Sequence, residues 1–199
     1  MILVAKIGTS SVTTKEGEVD TGAVAKLCAE VAALRAGGTQ VVLVSSGAIA
    51  AGLPALGFHA SAAGCDLATL QAVSAVGQSR LMRVYDDALS GHGLVAGQVL
   101  LAPLDFVHRQ QYLHARQTLT RLLELGVVPV VNENDAVADD EIRFSDNDRL
   151  AALVAHLVGA DLLVLLTDAP GLLSADPRRD PTASLIEEVA EVDEQLERA

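Results

Sequence analysis

GVVPVVNENDAVADDEIRFSDND, residues 126–148, changes character halfway along. Its first half is a continuous apolar run without polar alternation, the pattern of a strand covered on both faces, as in parallel sheets. Between residues 132 and 148 it then sets seven carboxylates and three asparagines. That polarity stands at the carboxyl end of a buried strand. In open α/β sheets this is where ligands bind.

Four more short β-branched runs end in glycine or polar residues: ILVAKIG, TQVVLVSSG, LVAGQVLL and DLLVLLTD. Helical spacing of apolar residues fills the intervals, over Thr21 to Ala36, about Leu67 to Ala88, about Arg109 to Leu125, and Asn147 to Val158. Gly37-Gly38 closes the first of these helices. The alternation predicts an α/β fold, a mainly parallel sheet with helices on both faces. No linker, repeat or low-complexity tract divides the 199 residues, and DPRRDPTASL, from Asp176, reads as a turn-rich loop. EIRF, inside the acidic stretch, reads as a short strand of a hairpin flap.

Composition narrows the functions. Half of the chain is hydrophobic, chiefly Ala, Val and Leu, which suits helices packed closely on a sheet. The net charge of −12 (26 acidic against 14 basic residues) and the scarcity of aromatics disfavour nucleic acid as a partner. MILVA is interrupted by Lys6, so neither a signal peptide nor a membrane span is expected, and the chain reads as soluble and cytoplasmic. Cys28 and Cys65 lack CxxC spacing and read as buried free thiols. His59, His92, His108, His114 and His156 share no metal-ligand spacing, so no metal centre is expected.

The strand ends carry the chemistry. KIGTSS and SSGAIAAG are glycine turns of the kind that let amides approach a phosphate, though a strand-to-helix turn needs glycine for its backbone in any case. Neither is GxxxxGK[ST] or GxGxxG, which disfavours a nicotinamide-dependent enzyme. Lys6 is more telling. A charge within an apolar strand costs on the order of several kcal/mol unless it meets a ligand or partner. Asp135 follows directly on the strand GVVPVVNEN and should hang over the sheet's end, whereas Asp139, Asp140 and Glu141 read as a solvated loop. Asp146 or Asn147 would cap the helix NDRLAALVAHLVG. Capping leaves the rest of the row Asp146-Asn147-Asp148 unexplained. A carboxylate for an ammonium, with an amide beside it for a carboxylate, is what an amino acid would require. Tyr112 and Arg116, at helical spacing, read as packing or capping residues.

VAKIGTSSV, VSSGAIAAG, QAVSAVGQ, VVPVVNENDAVADDEIRFSDND, LLVLLTDAPGL and ADPRRDP, in this order and spacing, resemble the glutamate 5-kinases of the amino acid kinase family. The resemblance implies a three-layer αβα sandwich that transfers the γ-phosphoryl of ATP, with Mg²⁺, to the γ-carboxylate of L-glutamate, the first step of proline biosynthesis. Lys6 would contact the phosphates, and Asp148 would orient Lys6 and any second cation. Ser46, Asp135 and Asn147 would hold glutamate. Gly8 and the glycine of SSG would open amides to the phosphates, and Thr167 and Asp168 would lie beside the nucleotide. Proline as feedback inhibitor and a homo-oligomer are expected on the same ground.

The family also implies a GGMxTK-type segment with a second lysine and, in many bacterial members, a small domain resembling RNA-binding modules. Neither occurs in these 199 residues, so the expectation is the N-terminal portion of the kinase domain, with the fold incomplete at its C-terminus. Ser145, His114 and Leu173 stand where the family usually has glycine, asparagine and tyrosine. Two alternatives stay open: another amino acid kinase, which NEND and DND disfavour, and a non-catalytic glutamate- or proline-binding protein.

Overall fold

The computed structural model describes residues 1–14, 17–58, 64–137, 147–167, 169–177, 180 and 182–192. The chain forms two compact units, Met1–Leu166 and Thr167–Ala199. In the first, five strands run β1 (Ile2–Ile7), β2 (Gln40–Ser45), β3 (Ala96–Leu101), β4 (Val128–Glu133) and β5 (Leu162–Leu166). All neighbours pair in parallel, in the order β3-β4-β2-β1-β5. The helices are α1 (Thr9–Val12), α2 (Thr21–Ala36), α3 (Ala48–Gly52), α4 (Leu67–Ser90), α5 (Pro103–Val107), α6 (Arg109–Glu124) and α7 (Asn147–Val158). Among the described residues no helix is long and apolar enough to cross a membrane.

Side chains alternate across a strand, so a doubly covered sheet needs apolar residues at every position. One core gathers Leu3, Ala5 and Ile7 of β1, Val41 and Leu43 of β2, and Val128 and Val130 of β4 against α2 and α4. The other gathers Val4, Val42, Val44 and Val131 against α6 and α7. This is the three-layer sandwich that the sequence implies. The alternation also fixes which layer each strand-end residue addresses: Lys6 shares Val4's face, under α7, while Ser45 and Asn132 share the face of Leu43 and Val130, under α4.

Local signals place the helices. The Asp20 side chain accepts from the Ala23 N–H, capping α2, and Asp66 does the same for α4 through Thr69. α2 ends at Gly37-Gly38, with Gly38 left-handed at φ 85°. α3 and α4 touch backbone to backbone. A Cβ on Gly77 would lie 1.7 Å from the Ala48 carbonyl oxygen, and one on Gly52 would lie 2.0 Å from that of Val73.

Two expectations need correction. β5 is an edge strand, and Leu162, Leu165 and Leu166 are exposed, so its continuous apolarity does not mean double coverage within this unit. Cys28 is a buried free thiol, but Cys65 lies just before the cap of α4 and is only partly covered. The 3₁₀ turns Pro54–Leu56 and Asp135–Val137 and the short helices α1, α3 and α5 carry no signal in the sequence pattern, because three to five residues hold too little periodicity. In the second unit Leu173 and Leu185 form an antiparallel bridge, and the Asp180 carboxylate takes the Thr182 hydroxyl and N–H, which hold its pKa below the usual range.

Candidate active site

The strand ends meet at the carboxyl edge of the sheet. Lys6, on the α7 face of β1, sets its Nζ 2.6 Å from Asp148 Oδ1 in the first turn of α7. The lysine side chain is 9% exposed and the aspartate's 43%, so a nearly buried ammonium is neutralised by a carboxylate that still meets solvent. That arrangement keeps a cation at a ligand-facing edge at lower desolvation cost than an unpaired one.

Beside this pair Asn147 bridges three segments. Its Nδ2 donates to the Ser45 carbonyl at 2.8 Å, and to Ser46 Oγ and Asn132 Oδ1 at 2.9 Å each. Asn132 Oδ1 also accepts the Glu133 N–H at 2.8 Å, while Asn132 Nδ2 donates to Gln78 Oε1 at 2.9 Å. One turn earlier on α4, the Ser74 hydroxyl donates to Asp135 Oδ2 at 2.6 Å. Farther along the same helix face, the Tyr85 hydroxyl lies 2.9 Å from Ser45 Oγ, and either oxygen can donate. Burial is the main cause that pushes the Tyr85 hydroxyl up to about 12, against the lowering effect of its bond to Ser45.

Two glycines answer to different needs. Gly47 is left-handed at φ 100°, and a Cβ there would meet Val12 Cγ2 at 3.1 Å. Gly8 is extended at φ −72°, ψ 160°, which any residue adopts. Its Cβ would have ordinary contacts only, 3.7 Å from Lys6 Nζ. What the missing side chain leaves is space at the ammonium.

Of the residues singled out in the sequence, the fold brings Lys6, Ser46, Asn147 and Asp148 together and ties Asp135 to α4. Thr167 begins the second unit, where its hydroxyl accepts from the Ala169 N–H at 3.3 Å. Asp168, EIRF, Asp139 to Glu141, Ser145 and Asp146 lie outside the described residues. Asn132, the first polar residue at the end of β4, joins the cluster, and so do Ser74 and Gln78, to which the sequence pattern gives no role; QAVSAVGQ contains both at i, i+4 spacing. A separate cavity of about 530 Å³, lined by residues including Glu18, Ala51, Arg80 and Arg83, shares no residue with the cluster. Among the described residues no group of three His, Cys, Asp or Glu could hold a metal ion.

A parallel sheet whose carboxyl edge presents a paired lysine beside a carboxamide network is a design for handling anionic groups, and residues 1–198 match the Amino acid kinase family. The chain belongs to that family. It is similar to proteins named glutamate 5-kinase: 50% identical over 196 residues to that of Methylibium petroleiphilum, 51% over 195 to that of an Azoarcus species, and 50% over 188 to that of Burkholderia mallei. These matches cover 98%, 98% and 94% of this chain but 52%, 52% and 50% of the relatives. The chain thus spans about half the length of the curated relatives it matches.

Proposed function

We propose that this chain carries the glutamate-phosphorylating chemistry its relatives are named for, with ATP as donor and the γ-carboxylate of L-glutamate as acceptor. The observation that carries the reading is the Lys6–Asp148 pair beside the Asn147–Ser46–Asn132 network. A γ-carboxylate oxygen attacks the γ-phosphorus, the new P–O bond forms as the bond to ADP breaks, and the product is an acyl phosphate. Both reactants are anionic, so the protein's task is to position them and offset repulsion. Lys6 supplies that cation, held by Asp148, and a donor of this sort is worth roughly 3 kcal/mol in the barrier. Ser46, Asp135 and Asn147 hold the amino acid, Asp135 at its ammonium; Gly8 leaves room for the phosphates. Thr167 and Asp168 are assigned to the nucleotide.

The donor set suits Mg²⁺ held mainly by phosphate oxygens and water, with Asp148 as the candidate protein ligand, since no three-carboxylate group accompanies it among the described residues. Bound there, the ion would neutralise phosphate charge. The same reading carries proline as a feedback ligand, self-association and a cytoplasmic location.

Hydroxylamine traps an acyl phosphate, so the test is γ-glutamyl hydroxamate formation with glutamate, ATP and Mg²⁺. Product dependent on both substrates and at least a hundredfold lower in Lys6→Ala is expected. A folded chain that forms none would overturn the proposal of a self-sufficient kinase.

A further inference from the structure

We propose that Gln78 is a substrate-contacting specificity residue whose Nε2 donates to the α-carboxylate of the amino acid, an inference that rests on the glutamate-binding reading above. Gln78 is 7% exposed, and its Nε2 is buried with no hydrogen-bond partner among the described residues. A buried donor without an acceptor is costly to keep, and native folds rarely keep one without a use.

The orientation of the amide is fixed by a backbone group. The Glu133 N–H can only donate, so the Asn132 atom it meets is the oxygen. Asn132 Nδ2 is therefore the donor to Gln78, the Gln78 atom receiving it is Oε1, and the free atom is Nε2. Turning either amide over would break this chain.

Asn132 Nδ2 gives one of its two hydrogens to Gln78 Oε1. Asn147 Nδ2 carries two hydrogens and already faces three protein acceptors. Asp135 and Glu133, when ionised, accept only. A carboxylate arriving here needs a donor, and Gln78 Nε2 is the buried amide nitrogen of the network with both hydrogens uncommitted among the described residues.

Geometry selects which carboxylate. An α-amino acid carries its ammonium and α-carboxylate on one carbon, so their partners must be neighbours. Asp135, assigned to the ammonium, is anchored by Ser74 of α4, and Gln78 is one turn farther along the same helix face. Both stand at the β4 side of the site. From β4 the sheet order runs to β2, with Ser46 at its end, and then to β1, with Lys6. An amino acid held at Asp135 and Gln78 extends its side chain along that edge, toward the ammonium of Lys6.

Calorimetric titration of the full chain with L-glutamate and with its α-amide tests this. Gln78→Glu keeps the acceptor that Asn132 uses and replaces the donor with an oxygen. It should weaken glutamate binding about tenfold or more, the loss of one hydrogen bond to a charged group. It should also erase or reverse the wild-type preference for glutamate over the α-amide, which a merely structural role would not do. Melting curves establish that the variant folds; if it does not, Gln78→Met takes its place with the same expected loss of affinity. A folded variant with wild-type affinity and wild-type preference overturns the assignment while leaving the glutamate reading intact. A wild-type chain that takes up no glutamate overturns both.

Discussion

Gly8 separates two reasons for a glycine. Its backbone demands none and its Cβ would clash with nothing, so Gly8→Ala should leave the melting temperature within about 2 °C while raising the KM for ATP roughly tenfold. Gly47→Ala should do the opposite, losing about 1–3 kcal/mol of stability to a strained left-handed backbone. If ATP kinetics of Gly8→Ala match the wild type, the phosphates do not pass over this turn. At this scale the sequence speaks clearly where a residue is anomalous. Lys6 is a charge in an apolar run, and Asp148 is one acid more than a helix cap needs. Gln78 and Ser74 are silent because polar residues in a helix ordinarily face water. Only their register with Leu81 and Tyr85 turns them inward, and that register has meaning once the face of α4 that meets the sheet is known.

Among the elements α4 carries the most. Its inward face touches Asp135, Asn132 and Ser45 in order along its length, and its distance from α3 is set by two glycines whose missing side chains would meet backbone atoms. Backbone does not swing aside as a side chain does. Gly52→Ala and Gly77→Ala should each destabilise by roughly 3 kcal/mol, and since both wedge the same pair of helices apart, the double variant should lose clearly less than their sum. Strict additivity in denaturant titrations would show that the two contacts act separately. Strands and long helices were legible because period and length agree. α3 was not, being a single turn set by contact with α4.

Over the whole molecule, two buried acids set an alkaline limit. Burial pushes the Cys28 thiol up to about 11 and is the main cause that pushes the Tyr85 hydroxyl up to about 12, and both lie in the same core. The fold then holds protons that the unfolded chain releases from about pH 9 upward, so their contribution is complete below that pH and is lost as pH rises through the two folded values. The unfolding free energy from urea titrations should fall between pH 9 and 11, by roughly 2–3 kcal/mol for the thiol, and Cys28→Ala should flatten this first segment; a flat wild-type profile would refute the assignment. The layer order was legible from composition and alternation, but the site's assembly was not. Ser46 and Asn147 meet across 101 residues of chain, and Ser74 and Asp135 across 61. Contacts of such span form only once the long loops between them have closed. Whatever occupies this edge therefore fastens together the ends of those loops. A ligand at a hundred times its Kd would add about 2.7 kcal/mol to the folded state, and that gain should surface as slower amide hydrogen exchange throughout β1, β2 and β4, well beyond the few residues it touches.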